Sequence, residues 1–159
     1  MAEKAFQDYY PEDFSHCYGC GSLNAHGLQI KSRWEGEESV ARFTPQPYHI
    51  ALPGYVYGGL IASLIDCHAT GTAAAAATQA ATGQPLGAVP LLRFVTASLK
   101  VDFLRPTPSG TELELRATVA ELKGRKVVVQ VTLYAQGNAC ARGEVVCVQM
   151  PESMNPAQR

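Results

Sequence analysis

The feature that most constrains this chain is one long apolar stretch, from about residue 57 to about residue 79, with the pattern of a single helix. In its first half, apolar side chains recur at helical spacing: Leu60, Ile61, Leu64 and Ile65. Its second half is nearly all alanine, which is the best helix former and lets another backbone approach closely. A helix this hydrophobic has to be wrapped by other elements rather than docked on a surface.

One carboxylate, Asp66, interrupts this apolar helix, and the sequence has no Lys or Arg between Arg42 and Arg93 to neutralise it. A charge in apolar surroundings is costly, and such a carboxyl group often has a raised pKa that suits proton transfer or attack on water. Gly58 and Gly59 open the helix, where free N–H groups and the positive dipole end stabilise an oxyanion. One helix therefore offers both a base and an oxyanion site.

The segments on either side of the helix alternate apolar and polar residues, which is typical of β-strands with one buried face. Two short segments precede the helix and four long ones follow it: 28–34, 39–43, 91–104, 111–122, 126–135 and 139–150. Residues 1–27 contain proline and several glycines, which interrupt helices and strands, and their apolar residues follow no helix or strand period. We therefore expect an irregular N-terminal extension. This order predicts a single α+β domain over residues 1–159, with a curved antiparallel sheet around the central helix.

Charge and composition narrow the possible functions. The chain has 159 residues, of which 13 are basic and 14 acidic, for a net charge of -1. That balance argues against nucleic acid and membrane surfaces as partners, because both favour a basic excess. We find no apolar run of the ~18–20 residues that span a bilayer. The polar, acidic start of the chain is unlike a secretory signal, so we expect a cytoplasmic protein.

The five cysteines form an odd set, which favours free thiols in a chain without a secretory signal. Cys17 and Cys20 have the spacing of half a zinc knuckle, but no second pair follows at finger-like spacing. His16 and His26 flank the pair in the sequence and are only formal candidates for the remaining zinc ligands. Because structural zinc takes four ligands, we expect no metal here.

Several motifs together resemble the hotdog-fold acyl-CoA thioesterases, in particular the PaaI-like branch. Gly58, Gly59 and Asp66 have the spacing of the family's His-Gly-Gly-x6-Asp motif. Residues 49–54 resemble the family's loop into the helix, 95–106 its strand that ends in Arg-Pro, and 17–28 a lead-in of one subgroup. The resemblance covers roughly residues 15–150.

The resemblance implies hydrolysis of an acyl-CoA thioester, with no cofactor because coenzyme A is part of the substrate. Asp66 would be the general base or nucleophile, and the Gly58 N–H would polarise the thioester carbonyl. Thr96, on a strand facing the partner subunit's helix, would orient water. The site would lie at a subunit interface, so we expect a homodimer, or a homotetramer built as a dimer of dimers.

Substrate-binding roles follow by the same resemblance. Tyr57 stands where the family usually has His, so any role of an imidazole there is lost, whereas the backbone role of Gly58 is unaffected. Turn cations would form a rim for the phosphates of coenzyme A. The expected substrate-binding residues are Tyr57, Gly59, His49, Arg105, Arg125 and Lys126.

Other interpretations stay open at this stage. Asp66 is a structural carboxylate if it bonds to a hydroxyl such as that of Ser63 or Thr70. His68 is two residues from Asp66, hence on the opposite helix face, which favours a core or interface histidine. The alternative functions are an enoyl-thioester hydratase or dehydratase that pairs Asp66 with His49, and a non-catalytic acyl-CoA-binding protein.

Overall fold

The computed structural model describes residues 3–158 and contains one long helix against one sheet. The elements are β1 Ser32–Glu35, β2 Glu38–Phe43, α1 Gly58–Thr82, β3 Phe94–Phe103, β4 Leu113–Lys123, β5 Lys126–Ala135 and β6 Asn138–Gln149. The six strands form an antiparallel sheet in the order β1-β2-β4-β5-β6-β3. The predicted α+β hotdog architecture is confirmed.

The core lies between α1 and the inner face of the sheet. Leu64 and Ile65 are fully buried, as are the inward-facing side chains of β4 and β5: Leu113, Leu115, Ala117, Val127, Val129 and Leu133. Gly143 on β6 lies beneath Ile65, and a Cβ at Gly143 would overlap the Ile65 Cγ2 methyl group. The glycine therefore lets the sheet approach the helix closely.

By length and composition, α1 is long and apolar enough to cross a membrane, contrary to the expectation of no such segment. However, 78% of its most apolar 18-residue window is buried inside the domain. A core helix passes the same test of length and composition. The sheet that wraps α1 explains its hydrophobicity.

The first strand differs most from its predicted bounds, since it begins at Ser32 rather than at residue 28. The N–H groups of Leu28 and Ile30 donate to the carbonyls of Tyr18 and Gly19 instead of to a neighbouring strand. Between them, Gln29 adopts a φ of 53°, which breaks extended backbone. The N-terminal loop thus takes these donors away from the sheet.

The described part of the N-terminal extension is packed against the helix and the sheet. Two 3-10 turns interrupt it, Phe6–Tyr9 and Glu12–Phe14. Phe6 is buried, and its ring centroid lies 5.2 Å from that of Trp34. Two further 3-10 turns, Glu152–Met154 and Pro156–Gln158, follow the last strand.

Candidate active site

Asp66 lies in the third turn of α1 with its carboxylate half-buried. Its Oδ1 accepts a hydrogen bond of 2.5 Å from the Thr96 hydroxyl on β3. Within residues 3–158, no basic side chain forms an ion pair with Asp66. Burial raises the pKa of Asp66, the Thr96 hydrogen bond lowers it, and the charge of Cys17 raises it, with a net upward direction. This environment favours proton transfer near neutral pH.

Thr96 is positioned by an irregularity in β3. Pairing with β6 changes register between Thr96 and Ser98, which leaves Ala97 without a partner in the ladder. Such a bulge bends a strand and redirects its side chains. The resemblance predicts that Thr96 faces the helix of the partner subunit. In the structure, its hydroxyl instead donates a hydrogen bond to Asp66 of the same chain. Both residues therefore belong to one half of the site.

A purely structural role for Asp66 required a hydrogen bond from the hydroxyl of Ser63 or Thr70. Both hydroxyl groups donate to other acceptors. The Ser63 hydroxyl donates to the Gly59 carbonyl at 2.8 Å. The Thr70 hydroxyl donates to the backbone carbonyls of Asp66 and Cys67, each at 3.2 Å. Neither reaches the Asp66 carboxylate, which leaves Thr96 as its side-chain partner in the described part of the chain.

The start of α1 presents unused donors. Tyr57 precedes the helix with extended backbone and no side-chain cap, and its own N–H donates to the His49 carbonyl. Among the described residues, nothing accepts from the N–H groups of Gly58 and Gly59. Donors of the first turn at the positive end of the helix dipole can stabilise an oxyanion.

Three of the predicted substrate-binding residues meet beside this helix start. Tyr57, Gly59 and His49 line a cavity of about 300 Å³. A side chain at Gly59 would overlap the ring of Tyr57, which folds over the first turn. His49 Nδ1 accepts the N–H of Gln46, so its Nε2 carries the proton and is a donor.

The three predicted cationic residues do not lie together. Arg105 lines a groove of about 610 Å³ that also includes Gly58 and Phe103. Arg125 approaches the carbonyls of Gln149 and Met150 at the end of β6, and Lys126 forms an ion pair with Glu121. Because the neighbouring Val127 is buried against α1, strand alternation turns Lys126 to the outer face. The chain by itself therefore brings only Arg105 near the helix start.

The predicted base and the predicted oxyanion donor are separated along α1. Gly58 and Asp66 are eight residues apart, which is about 12 Å along the helix axis. A thioester carbonyl and its attacking water occupy only a few ångströms. Within one chain these two groups cannot act on the same carbonyl.

The sequence does not single out Cys67, yet the structure brings it beside Cys17 and Cys20. Hydrogen bonds from the thiols of Cys20 and Cys67 hold the pKa of Cys17 well below its usual range. His16 and His26 are exposed and do not belong to this cluster. Only the tertiary contact between the N-terminal loop and α1 reveals the third cysteine, because it is distant in sequence.

A long helix wrapped by a six-stranded antiparallel sheet is the hotdog architecture, and in this chain the helix carries a glycine-rich start and a carboxylate in its third turn. The sequence profile of the family described as the thioesterase superfamily matches residues 53–141, which is more than half of the chain. This chain therefore belongs to the thioesterase superfamily.

Two similar proteins are informative. A thioesterase superfamily protein from Shewanella loihica is 48% identical, with a TM-score of 0.67 over 87% of this chain and 97% of that one. The PaaI protein of Escherichia coli, from the phenylacetic acid degradation operon, has a TM-score of 0.63 over 78% of this chain and 81% of its own. At 18% identity, that second likeness shows the fold.

Among curated proteins, the acyl-coenzyme A thioesterase THEM4 of Xenopus laevis is 31% identical over 110 residues, or 69% of this chain. An uncharacterized mitochondrial protein of Candida albicans is 35% identical over 81 residues, or 51% of this chain. The chain spans only 43% and 31% of the lengths of these two relatives.

Proposed function

We propose that this protein hydrolyses acyl-CoA thioesters, with Asp66 as general base or nucleophile and the Gly58 N–H as oxyanion donor. The observation that carries the proposal is the Asp66–Thr96 pair, in which a half-buried carboxylate is held by a hydroxyl group. Membership of the thioesterase superfamily and the likeness to an acyl-coenzyme A thioesterase support the reaction class.

The separation of about 12 Å between Gly58 and Asp66 requires two copies of the chain. Each complete site combines Asp66 and Thr96 of one subunit with Gly58 of the partner subunit. The cavity beside Tyr57 and His49 lies at the same helix start and comes from the partner with Gly58. A twofold dimer then contains two equivalent sites.

Strand β3 supports this assembly. It is an edge strand, paired only with β6 among the described strands, and Leu99 and Phe103 on it are exposed. An exposed edge strand with apolar side chains favours pairing with another strand. In a dimer joined along β3, Thr96, which is exposed in one chain, becomes part of an enclosed site.

Two reaction routes fit this arrangement. As a general base, Asp66 takes a proton from water while the water oxygen attacks the thioester carbon. The Gly58 N–H stabilises the resulting oxyanion, the C–S bond breaks, and the thiolate of coenzyme A recovers the proton. As a nucleophile, Asp66 forms an acyl anhydride that water then hydrolyses. A single turnover in ¹⁸O-water separates the routes, because the second leaves label in the Asp66 carboxylate when water attacks there.

The first experiment measures thiol release from aliphatic and aromatic acyl-CoA esters by the wild type and by Asp66→Asn. We expect the variant to lose at least about 10²-fold in kcat, since it can neither accept a proton nor attack. Asp13→Asn is a matched control, because Asp13 is exposed in the N-terminal extension, and it retains activity. Hydrolysis by Asp66→Asn near the wild-type rate would remove Asp66 from the mechanism.

A hydratase needs Asp66 and His49 in one cleft. Within the chain, their side chains have different hydrogen-bond partners, Thr96 and Gln46 respectively, so this pairing, like the proposed hydrolase site, needs His49 from the partner subunit. An enoyl-CoA hydration assay on the same samples tests this alternative. Acyl-CoA binding without turnover of any ester would instead support a binding protein.

A further inference from the structure

Three cysteine side chains converge on one point between the N-terminal loop and α1. The sulfur atoms of Cys17, Cys20 and Cys67 all lie within 4.8 Å of one another, and those of Cys17 and Cys67 are 3.7 Å apart. All three are free thiols, Cys20 and Cys67 being buried and Cys17 half-buried. We propose that this cluster is a binding site for a thiophilic divalent cation of the zinc class.

The sulfur separation fits a shared cation. Tetrahedral zinc binds thiolates at about 2.3 Å, which places two sulfur ligands about 3.8 Å apart. The 3.7 Å between Cys17 and Cys67 matches that spacing, whereas a disulfide would require about 2.05 Å. The Cys-x-x-Cys spacing of the first two ligands is also that of zinc sites.

The loop that carries Cys17 and Cys20 is shaped for this convergence. The Gly21 N–H donates to the Cys17 carbonyl at 2.7 Å, which closes a tight turn around the two cysteines. A side chain at Gly19 would overlap the Cys67 sulfur. The glycine therefore allows the loop backbone to lie directly on the third ligand.

The surroundings supply a second and independent observation. Arg93 lies 4.4 Å above the ring of Tyr10. The Arg93 Nη1 and the Tyr10 hydroxyl are buried and lack hydrogen-bond partners among the described residues. The positive charge of Arg93 lowers the pKa of both the Cys20 thiol and the Tyr10 hydroxyl, against the larger effects that raise them.

The Arg93 guanidinium and the Tyr10 hydroxyl are better explained by a bound metal complex than by three thiols without a metal. Three thiolates around a divalent cation carry a net charge of one negative unit, which the Arg93 guanidinium offsets. Half-exposed Cys17 leaves the fourth position open to a water molecule. The cation would tie the N-terminal extension to α1 beside the catalytic half-site.

The test uses the full chain, purified under reducing conditions, and titrated anaerobically with Co²⁺ as a spectroscopic probe. We expect one Co²⁺ per chain, with thiolate-to-cobalt absorption in the near ultraviolet that Zn²⁺ removes by displacement. Zn²⁺ should also raise Tm by more than about 4 °C, and a chelator should reverse this shift. Binding of metal is measured directly, so a failure here is distinct from a failure of thioester hydrolysis.

Cysteine variants locate the site. Cys67→Ser and Cys17→Ser should each weaken Co²⁺ binding by at least about 10²-fold. Cys140→Ser is the matched control, because Cys140 is a buried free thiol outside the cluster, and it should keep wild-type binding. Circular dichroism shows whether each variant is folded.

Three results overturn the proposal, and the first two need no variant. One is a wild type without thiolate-to-cobalt absorption or Zn²⁺ binding. Another is three rather than five reactive thiols in unfolded protein isolated without reductant, which would indicate a disulfide. The third is unchanged Co²⁺ binding by folded Cys67→Ser.

Discussion

Asp66 and Thr96 form the half-site through opposing effects on one carboxylate. Burial raises the pKa of Asp66 most strongly, and the hydrogen bond from Thr96 lowers it. A hydrogen bond donated to the ionised carboxylate stabilises that form relative to the protonated one. Thr96 therefore opposes the effect of burial on this carboxylate and also orients it.

We predict that Thr96→Val raises the pKa of Asp66 further, because the variant removes the donor and leaves burial in place. A base must be deprotonated to act, so the acidic limb of the kcat/KM profile should move to higher pH. Thr96→Ser keeps a hydroxyl and should keep the wild-type limb. If Thr96→Val lowers kcat/KM at every pH but leaves the acidic limb of the pH profile in place, Thr96 has a role other than control of the Asp66 pKa.

The start of α1 is the second element of the site, and its role depends on backbone. Gly58 is the first residue of the helix, and Tyr57 before it has extended backbone with a ψ of 130°. Proline is tolerated at this first helical position and after an extended residue. Proline there removes the N–H without removing the helix.

We predict that Gly58→Pro lowers kcat by about 10²–10³-fold, the usual effect of losing one oxyanion donor. Gly58→Ala adds a Cβ but keeps the N–H, so it should lose much less activity. The Cβ approaches the Phe103 ring at 3.3 Å in both variants, which makes the pair well matched. Equal losses in the two variants would attribute the effect to crowding rather than to the missing donor.

A buried polar network joins α1 to the first two strands. His68 Nε2 donates to the Ser39 carbonyl at 3.1 Å, and its Nδ1 accepts from the Ser32 hydroxyl at 2.8 Å. Gln7 of the N-terminal extension completes it through two hydrogen bonds to Ser32. The neutral imidazole is thus satisfied on both nitrogen atoms, and the predicted core histidine is confirmed.

We predict that this histidine makes the fold sensitive to acid. Burial lowers the pKa of His68 from 6.5 to about 4, so the unfolded chain binds a proton more readily than the folded one. Stability is then full above about pH 6.5 and decreases as the pH falls toward 4, by up to about 3 kcal/mol. Urea unfolding between pH 7.5 and 4 with chelator present measures this loss.

His68→Gln is the control for that titration. Carboxylates also contribute to acid denaturation, but they remain in the variant, so the difference between the two curves isolates the histidine. The variant should be less stable at pH 7.5 because the network is disturbed, and the gap should narrow toward pH 4. A constant gap would show that His68 does not titrate in this window.

The molecule as a whole acquires function only as a dimer in our interpretation, because the half-sites of one chain lie about 12 Å apart. This has a direct test by complementation. Gly58→Pro and Asp66→Asn chains are each inactive alone, but a mixed dimer pairs one intact Gly58 with one intact Asp66. Co-expressed chains should then show about a quarter of the wild-type activity, since half the dimers carry one working site of two.

Complementation also has a clear negative outcome. If one chain held a complete site, every subunit in the mixture would lack either the base or the donor. Activity would then stay at the level of the single variants while size-exclusion chromatography still showed mixed dimers. That result would place both groups in one subunit and contradict the shared site.

Local pattern was sufficient to predict the elements of this protein. The long helix, the four strands after it, and the positions of Gly58 and Asp66 follow from periodicity and spacing within short segments. These features depend on neighbours in sequence, because helical and extended backbone are selected residue by residue. The family resemblance rested on the same short spacings and was confirmed.

The tertiary structure alone decided which distant residues meet. Carbonyls of the N-terminal loop accept hydrogen bonds from backbone N–H groups within residues 28–30, so β1 begins later than predicted. A bulge in β3 brings the Thr96 hydroxyl to the Asp66 carboxylate of the same chain. The same loop brings Cys17 and Cys20 to Cys67, while strand alternation turns Lys126 outward. Such contacts depend on register and packing between elements far apart in sequence, so no local pattern contains them.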